Sequence, residues 1–151
     1  MKNKALLLND GSFLLPVYHE LLTKRSALIR VKPGKNTVAY EIRRMTFHAK
    51  AVQPALVSLG DRRLMALCRN MDGGHVLAGE SDDMGYTWSA PRRLDLPNPN
   101  SGFDVIRLGP GTLLAAINNS FEDRSDLSLA ISDDEGASWQ IAHRLQHQLG
   151  M

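Results

Sequence analysis

Two octets of this chain read almost alike: Ser81-Asp82-Asp83-Met84-Gly85-Tyr86-Thr87-Trp88 and, 51 residues later, Ser132-Asp133-Asp134-Glu135-Gly136-Ala137-Ser138-Trp139. Ser and Asp side chains bond to nearby backbone amides and stabilise tight turns. Glycine allows the positive φ that a reversal needs, and Trp offers a large apolar surface. Each octet follows an apolar, strand-like run, so we predict a hairpin turn whose Trp packs on a sheet. The Asp residues are then structural rather than catalytic.

The repeat extends beyond the octets. Residues 8–19, 59–70 and 108–119 share one pattern of strand end, Gly/Asp turn and second strand. This predicts three four-stranded units, with strands near 4–8, 12–18, 26–31 and 37–44; near 54–59, 63–69, 75–80 and 91–95; and near 102–108, 112–118, 126–131 and 139–145. In the first unit the octet would begin at Arg30, where only the glycine is kept, and we expect a turn through Pro33 and Gly34. Short helical turns are possible at 19–25 and 144–149.

The octet pattern S-x-D-x-G-x-x-W resembles the Asp-box, or bacterial neuraminidase repeat, of the sialidase-like six-bladed β-propellers. The resemblance implies an all-β fold of three four-stranded antiparallel blades, which is half of a six-bladed propeller. It also implies one partial domain over 1–151, with blades near 3–48, 52–96 and 101–146. Half a propeller leaves two open blade faces. We therefore expect either a fragment of a longer protein or a homo-oligomer formed through those faces.

Composition excludes several other classes. The net charge of +2 is too small to indicate nucleic acid or an anionic membrane as partner. Neither a signal peptide nor a membrane-spanning run is visible, so a cytoplasmic location is expected. The single cysteine, Cys68, lies in an apolar run, which indicates a buried and inert thiol. The histidines lack metal-ligand spacing and no nucleotide-binding loop occurs, so we expect no metal and no cofactor.

Polar residues end the second strand of every unit: Tyr18 and His19, Arg69 and Asn70, Asn118 and Asn119. They are either a polar funnel at one face of the blades or ordinary loop starts. The resemblance implies a role for two arginines, since sialidases hold the substrate carboxylate with three. Arg69 and Arg124 match two of those, and a guanidinium is suited to bidentate carboxylate binding. Asn98, in a Pro- and Asn-rich segment, could donate to a sugar hydroxyl.

The chain also departs from the family pattern. The first arginine, the acid/base Asp and the Tyr nucleophile of sialidases have no assignable counterparts. Gln53 stands at the position of the family's Glu, and a Gln cannot take up a proton as a carboxylate does. Glu20 is the best acid candidate, because it follows a predicted site strand. The sequence thus predicts a sialidase-like exo-glycosidase, or a fragment of one, that binds an anionic or polyhydroxylated sugar. The alternative is a non-catalytic sugar-binding or assembly module.

Overall fold

The protein, represented by a computed structural model, is described over residues 3–18, 25–47 and 50–147. Those residues form strands, turns and loops and contain no helix, hence none that could span a membrane. Twelve strands make three four-stranded antiparallel sheets. They are β1 (Leu6–Leu7), β2 (Phe13–Tyr18), β3 (Ser26–Pro33), β4 (Val38–Arg44), β5 (Ala51–Gly60), β6 (Arg63–Asn70), β7 (His75–Ser81), β8 (Arg92–Pro97), β9 (Asp104–Gly109), β10 (Thr112–Asn118), β11 (Asp126–Ser132) and β12 (Gln140–His147).

Each sheet keeps its strands in chain order, as consecutive hairpins do. Blade 1 is β1-β2-β3-β4, blade 2 is β5-β6-β7-β8, and blade 3 is β9-β10-β11-β12. The predicted all-β fold of three four-stranded antiparallel blades is therefore confirmed. Contacts between the blades run mainly through the first strands, since β5 touches β1, β2, β3 and β9. β5 is buried along almost its whole length, whereas β4 is largely exposed.

The blades stack face to face over two hydrophobic clusters. The first joins blades 1 and 2 and includes Leu14, Leu28, Leu64, Cys68 and Trp88. The second joins blades 2 and 3 and includes Val57, Met65, Val76, Leu113 and Ile117. Neighbouring residues of β6 fall in different clusters, because side chains alternate between the two faces of a strand. Burial strongly raises the pKa of the Cys68 thiol, which makes it the inert cysteine that was expected.

The two octets fold into the same turn. Ser81 Oγ accepts from Gly85 N at 2.8 Å, and the Asp83 carboxylate accepts from Thr87 N at 2.8 Å and from Thr87 Oγ1 at 2.6 Å. The indole Nε1 of Trp88 donates to Gly85 O at 3.2 Å. Ser132, Asp134, Gly136, Ser138 and Trp139 repeat these bonds at the same distances. The structural function predicted for this turn is confirmed.

Hydrogen bonding also sets the acidity of the turn carboxylates. Partial burial works to raise the pKa of Asp83, but the bonds from Thr87 and Ser81 outweigh it and lower that pKa to about 2. Bonds from Ser138 and Ser132 lower the pKa of Asp134 to about 2 as well. Both groups are therefore ionised acceptors at neutral pH and cannot act as proton donors there.

Four expectations about local structure need correction or fall outside the description. Strand β1 has only two residues, Leu6 and Leu7, and the side chains of Asn3 and Lys4 before it bond to Gln53 of blade 2 and Asp104 of blade 3. Strand β5 begins at Ala51 rather than 54, because the ladder skips Gln53 and Pro54 and then resumes. Strand β12 runs to His147, so the helical turn at 144–149 is wrong over 144–147. The other possible turn, at 19–25, lies outside the described residues except for Arg25.

Residues 30–37 of blade 1, all of which the structure describes, do not form the octet turn. Strand β3 continues through Pro33, which pairs with Val38, and the chain reverses over 34–37 with Gly34 N donating to Thr37 O at 2.8 Å. The turn expected at Pro33 and Gly34 is thus present as a short hairpin. Arg30, where the octet would have begun, has another function: it donates to Ser12 Oγ at 3.1 Å and to the carbonyl of Met84 in blade 2.

Arginines of one blade hold the octet turn of the next. Arg30 lies over the Tyr86 ring, 4.3 Å from its centroid, in addition to its bond to Met84. In blade 2, Arg63 Nη1 lies 2.7 Å from the Glu135 carboxylate, and Arg92 Nη2 donates to Gly136 O at 3.3 Å. Each turn therefore has a second function that its own residues do not reveal, which is to receive arginines across the blade interface.

Candidate functional site

Arg69 lies near the end of β6 and points towards the segment that links blades 2 and 3. Its position two residues beyond Leu67 places it on the face that β6 turns to blade 3. Its Nε donates to Asn100 Oδ1 at 2.8 Å, and its Nη1 lies 3.4 Å from Gln53 Oε1. Two neutral amide oxygens thus orient the guanidinium without neutralising its charge.

Asn100 connects the two arginines that the sequence singled out. Its backbone carbonyl accepts a hydrogen bond from Arg124 Nη2 at 3.0 Å, while its side chain accepts from Arg69. Its φ is 55°, a left-handed conformation that asparagine tolerates better than most residues. Two guanidinium groups from different blades therefore meet at one residue.

Gln53 contacts Arg69 from the irregularity in β5. Its φ is 53° and its side chain is buried. Its Nε2 is 3.4 Å from Asn3 Oδ1, and Asn3 Nδ2 donates to the Gln53 carbonyl at 3.3 Å. The amide also lies against Gly102, where an added Cβ would come within 2.7 Å of Nε2. Gln53 is consequently held between Asn3, Gly102 and Arg69.

Asn70 and Asn98 belong to the scaffold of the site. Asn98 is fully buried; its Oδ1 accepts from Asn70 N at 3.3 Å and its Nδ2 donates to Ser101 O at 2.9 Å. The Asn70 side chain donates to Gly73 O at 2.7 Å and accepts from Asp72 N at 3.1 Å. These amides shape the loops around Arg69 and have their hydrogen bonds within the protein.

Asn118 supports the loop that carries Arg124. Its Nδ2 donates to the Arg124 carbonyl at 3.2 Å, and Ser120 Oγ accepts from the amides of Glu122 and Asp123. The same loop extends towards blade 2, where the ring of Phe121 meets that of His75 edge to face at 5.2 Å. Asp126, two residues beyond Arg124, has its carboxylate 3.0 Å from Nε of Arg144.

The remaining candidates lie elsewhere or outside the description. Tyr18 ends β2, as Arg69 and Asn118 end or nearly end their strands, but it lines a cleft with Arg25, Ile42 and Arg44. His19 and Glu20 lie outside the described residues. Within 3–18, 25–47 and 50–147, no group of three His, Cys, Asp or Glu side chains could hold a metal ion.

Sequence reasoning missed Asn100, the residue that contacts both arginines. It selected Asn98 from the Pro- and Asn-rich segment, whereas Asn100 is the asparagine in contact with both arginines. The available signal was Asn100 followed by Ser101 and Gly102, a combination typical of a residue with positive φ. Asn3, near the start of the chain, gave no signal.

The fold and the loops around Arg69 and Arg124, which form the rim of the site, define the class of protein. It is an all-β molecule built of propeller blades, with arginines placed where two blades meet. Residues 1–150 match the family described as BNR repeat-like domain, and the chain belongs to that family. No curated protein sequence matches the chain.

Solved sialidases share the fold. The NanB sialidase from Streptococcus pneumoniae, in complex with 2-[(3-chlorobenzyl)ammonio]ethanesulfonate, matches with a TM-score of 0.69 and 17% identity over 96% of this chain. The Hadza microbial sialidase Hz136 matches with a TM-score of 0.75 and 17% identity over 97% of this chain. The chain spans 23% and 30% of those two proteins, respectively. It has a sialidase-like fold and corresponds to a portion of such a propeller.

Proposed function

We propose that the chain is the sugar-binding portion of a sialidase-like exo-glycosidase and that Arg69 and Arg124 bind the anionic group of the sugar. The observation that carries the proposal is the junction at Asn100, which holds guanidinium groups from blades 2 and 3 together. Charged hydrogen bonds from an oriented guanidinium suit a planar carboxylate. Asn70, Asn98 and Asn118 would shape the rim, and Gln53 would keep Arg69 in place.

The experiment is a calorimetric titration with a sialic acid and, in parallel, with a neutral hexose. We expect the wild-type chain to bind the acid and Arg69→Ala and Arg124→Ala each to weaken binding by about 10- to 100-fold, the range for a hydrogen bond to a charged group. Arg93→Ala is the matched control, since Arg93 is an exposed arginine on β8. Equal affinity for the acid and the hexose, or no effect of either substitution, would contradict the proposal.

A non-catalytic sugar-binding module is the second candidate, and Gln53 favours it. A neutral amide stands where the resemblance places a glutamate, and its Oε1 faces Arg69. Incubation with aryl glycosides, including an aryl sialoside, distinguishes the two. Release of the aryl alcohol that Arg69→Ala abolishes would support a hydrolase, with Glu20 as the first residue to test as acid. Saturable binding without release would support the module.

We also propose that the chain associates with itself through its open blade faces. Large apolar side chains are exposed on the outer faces of both terminal blades, among them Tyr40 at 71% and Leu108 at 56%. Such patches are unusual on a monomeric protein and indicate an interaction surface. Sedimentation velocity over a range of concentrations tests this, and a monomer throughout would overturn it.

A further inference from the structure

The blade contacts inside the chain have two distinguishable sides. Blade 2 presents an outgoing face to blade 3, formed by Val57, Leu59, Met65, Leu67, Val76 and Ala78. Blade 3 presents a receiving face to blade 2, formed by Val105, Leu113, Ala115, Ile117 and Ala130. Every blade of such a stack has one outgoing and one receiving face, because alternate side chains of a strand point to opposite sides.

The free side of blade 3 is an outgoing face. Strand pairing shows that this face is equivalent to the outgoing face of blade 2. Ile106 pairs with Leu114 in blade 3 in the same way as Val57 pairs with Met65 in blade 2. The equivalent positions are again apolar: Ile106, Leu108, Leu114, Ala116, Leu127 and Leu129. Ile106, Leu108 and Leu127 are 43%, 56% and 38% exposed, respectively.

The free side of blade 1 is a receiving face. Leu14 and Leu28 face blade 2, so the alternate residues of β2 and β3 face outward: Phe13, Leu15, Val17, Ala27 and Ile29. The outermost strand β4 adds Val38, Tyr40 and Ile42, which are 65%, 71% and 61% exposed. Blade 1 thus offers the apolar surface on which an outgoing face would pack.

The two free faces also lack the same pair of features. An internal receiving blade carries an octet turn, and the outgoing blade before it carries the arginines that hold this turn. The described part of blade 1 forms no octet turn and reverses instead in the hairpin over 34–37. Blade 3 has no arginine at the positions equivalent to Arg63 and Arg92 of blade 2. Thr112, which pairs with Gly109, is equivalent to Arg63, which pairs with Gly60. His143, which pairs with Leu129, is equivalent to Arg92, which pairs with Ala78.

We propose that the occupant of each free face is a second copy of this chain, joined head to tail. The outgoing face of blade 3 in one copy packs on the receiving face of blade 1 in the other. The outgoing face of blade 3 has no arginines that would need an octet turn, and the receiving face of blade 1 has no octet turn that would need arginines. Two such contacts related by a twofold axis close the assembly and leave no face open. This pairing rests on the proposed self-association and specifies which face meets which.

The test uses two variants that each place a charge on one face. Tyr40→Glu disrupts the receiving face of blade 1, and Leu108→Glu disrupts the outgoing face of blade 3. In a head-to-tail dimer of either variant, each of the two contacts includes one altered face. Both variants should therefore associate at least tenfold more weakly than wild type. A mixed dimer of the two has one undamaged contact and one contact that carries both changes, so mixing them at equal concentration should give more dimer than either variant alone. Lys35→Glu, in the exposed hairpin of blade 1, is the control.

The outcomes separate this inference from the proposal on which it rests. A wild-type chain that stays monomeric overturns both. A dimer that only one of the two variants weakens is a face-to-face pair, blade 1 on blade 1 or blade 3 on blade 3, and overturns the head-to-tail pairing alone. The head-to-tail pairing is also overturned if both variants weaken the dimer but mixing them does not increase it. Open-ended oligomers in place of a dimer would overturn the pairing as well. Circular dichroism checks that each variant remains folded.

Discussion

Arg69 Nε lies 2.8 Å from Asn100 Oδ1, although 31 positions of sequence separate the two residues. Arg69 is the last residue but one of β6 in blade 2, whereas Asn100 lies in the segment that leads from blade 2 to blade 3. The contact therefore forms only when that segment folds back over the end of β6. Because the Asn100 carbonyl also accepts from Arg124, the position of both guanidinium groups depends on this one residue.

Substitution of Asn100 should weaken binding of an anionic sugar without unfolding the protein. Asn100→Gly keeps the left-handed backbone but removes the acceptor of Arg69, so we expect a several-fold loss of affinity in calorimetry and a small change in melting temperature. Asn100→Ala should lose both affinity and stability, because alanine resists a φ of 55°. Asn36→Gly, in the exposed hairpin of blade 1, should leave affinity unchanged. Unaltered binding by Asn100→Gly would show that the junction does not orient Arg69.

Gln53→Glu should lower the affinity for an anionic sugar at neutral pH. The new carboxylate would lie near Arg69 Nη1, 3.4 Å from the present amide oxygen, and would compete with the ligand for the guanidinium. Acidification that protonates the glutamate should restore binding, a recovery that wild type would not show in titrations at the same pH values. The variant should also be assayed on an aryl sialoside. An affinity for the acid that increases in Gln53→Glu would count against an anion site at Arg69.

The octet carboxylates should stabilise the fold in a pH-dependent way. The pKa of Asp83 is about 2 in the folded chain, below the usual value of about 3.9 for an unfolded Asp. A lowered folded pKa gives stability that is complete above about pH 4 and is lost as the pH falls towards 2. Asp83→Asn should therefore lower the melting temperature at pH 7 and have less effect near pH 2.

Asp82→Asn is the matched control for that experiment. Asp82 neighbours Asp83 in the same turn, but its side chain is 88% exposed and 3.9 Å from Arg63. Its removal should change the melting temperature little at any pH, as expected for an exposed ion pair. Equal effects of the two substitutions at pH 7 would contradict the assignment of Asp83 as the turn's structural acceptor.

Gly79→Ala should destabilise the contact between blades 1 and 2. A Cβ at Gly79 would lie 2.4 Å from the Phe47 ring, which is buried and meets Trp88 edge to face. Overpacking of this kind costs about 1–3 kcal/mol in unfolding free energy, measurable by urea denaturation. Phe47→Leu in the same chain should recover part of the loss. Gly109→Ala, where a Cβ meets nothing within 4 Å, should change stability by much less.

Local signals accounted for the blades, and long-range contacts accounted for the site. All twelve predicted strands are present, with bounds within three residues of those observed, because hairpin turns and alternating apolar residues are properties of short segments. The largest difference is at β5, which begins at Ala51 rather than 54 and whose ladder skips Gln53 and Pro54. Arg69 and Arg124 stay predictions as substrate-binding residues; both contact Asn100, whereas Asn98, which the sequence suggested, is a buried residue of the surrounding loops.

The sequence by itself determined the repeat, the octet turns and the alternation of apolar side chains that gives each blade two buried or buriable faces. Those features depend on residues a few positions apart, so a linear pattern can encode them. Only the tertiary structure decided that Gln53 would face Arg69, that Asn100 would join Arg69 to Arg124, and that arginines of one blade would hold the next octet turn. Such contacts depend on how whole blades stack, and stacking is set by the sum of many side-chain volumes rather than by any single motif.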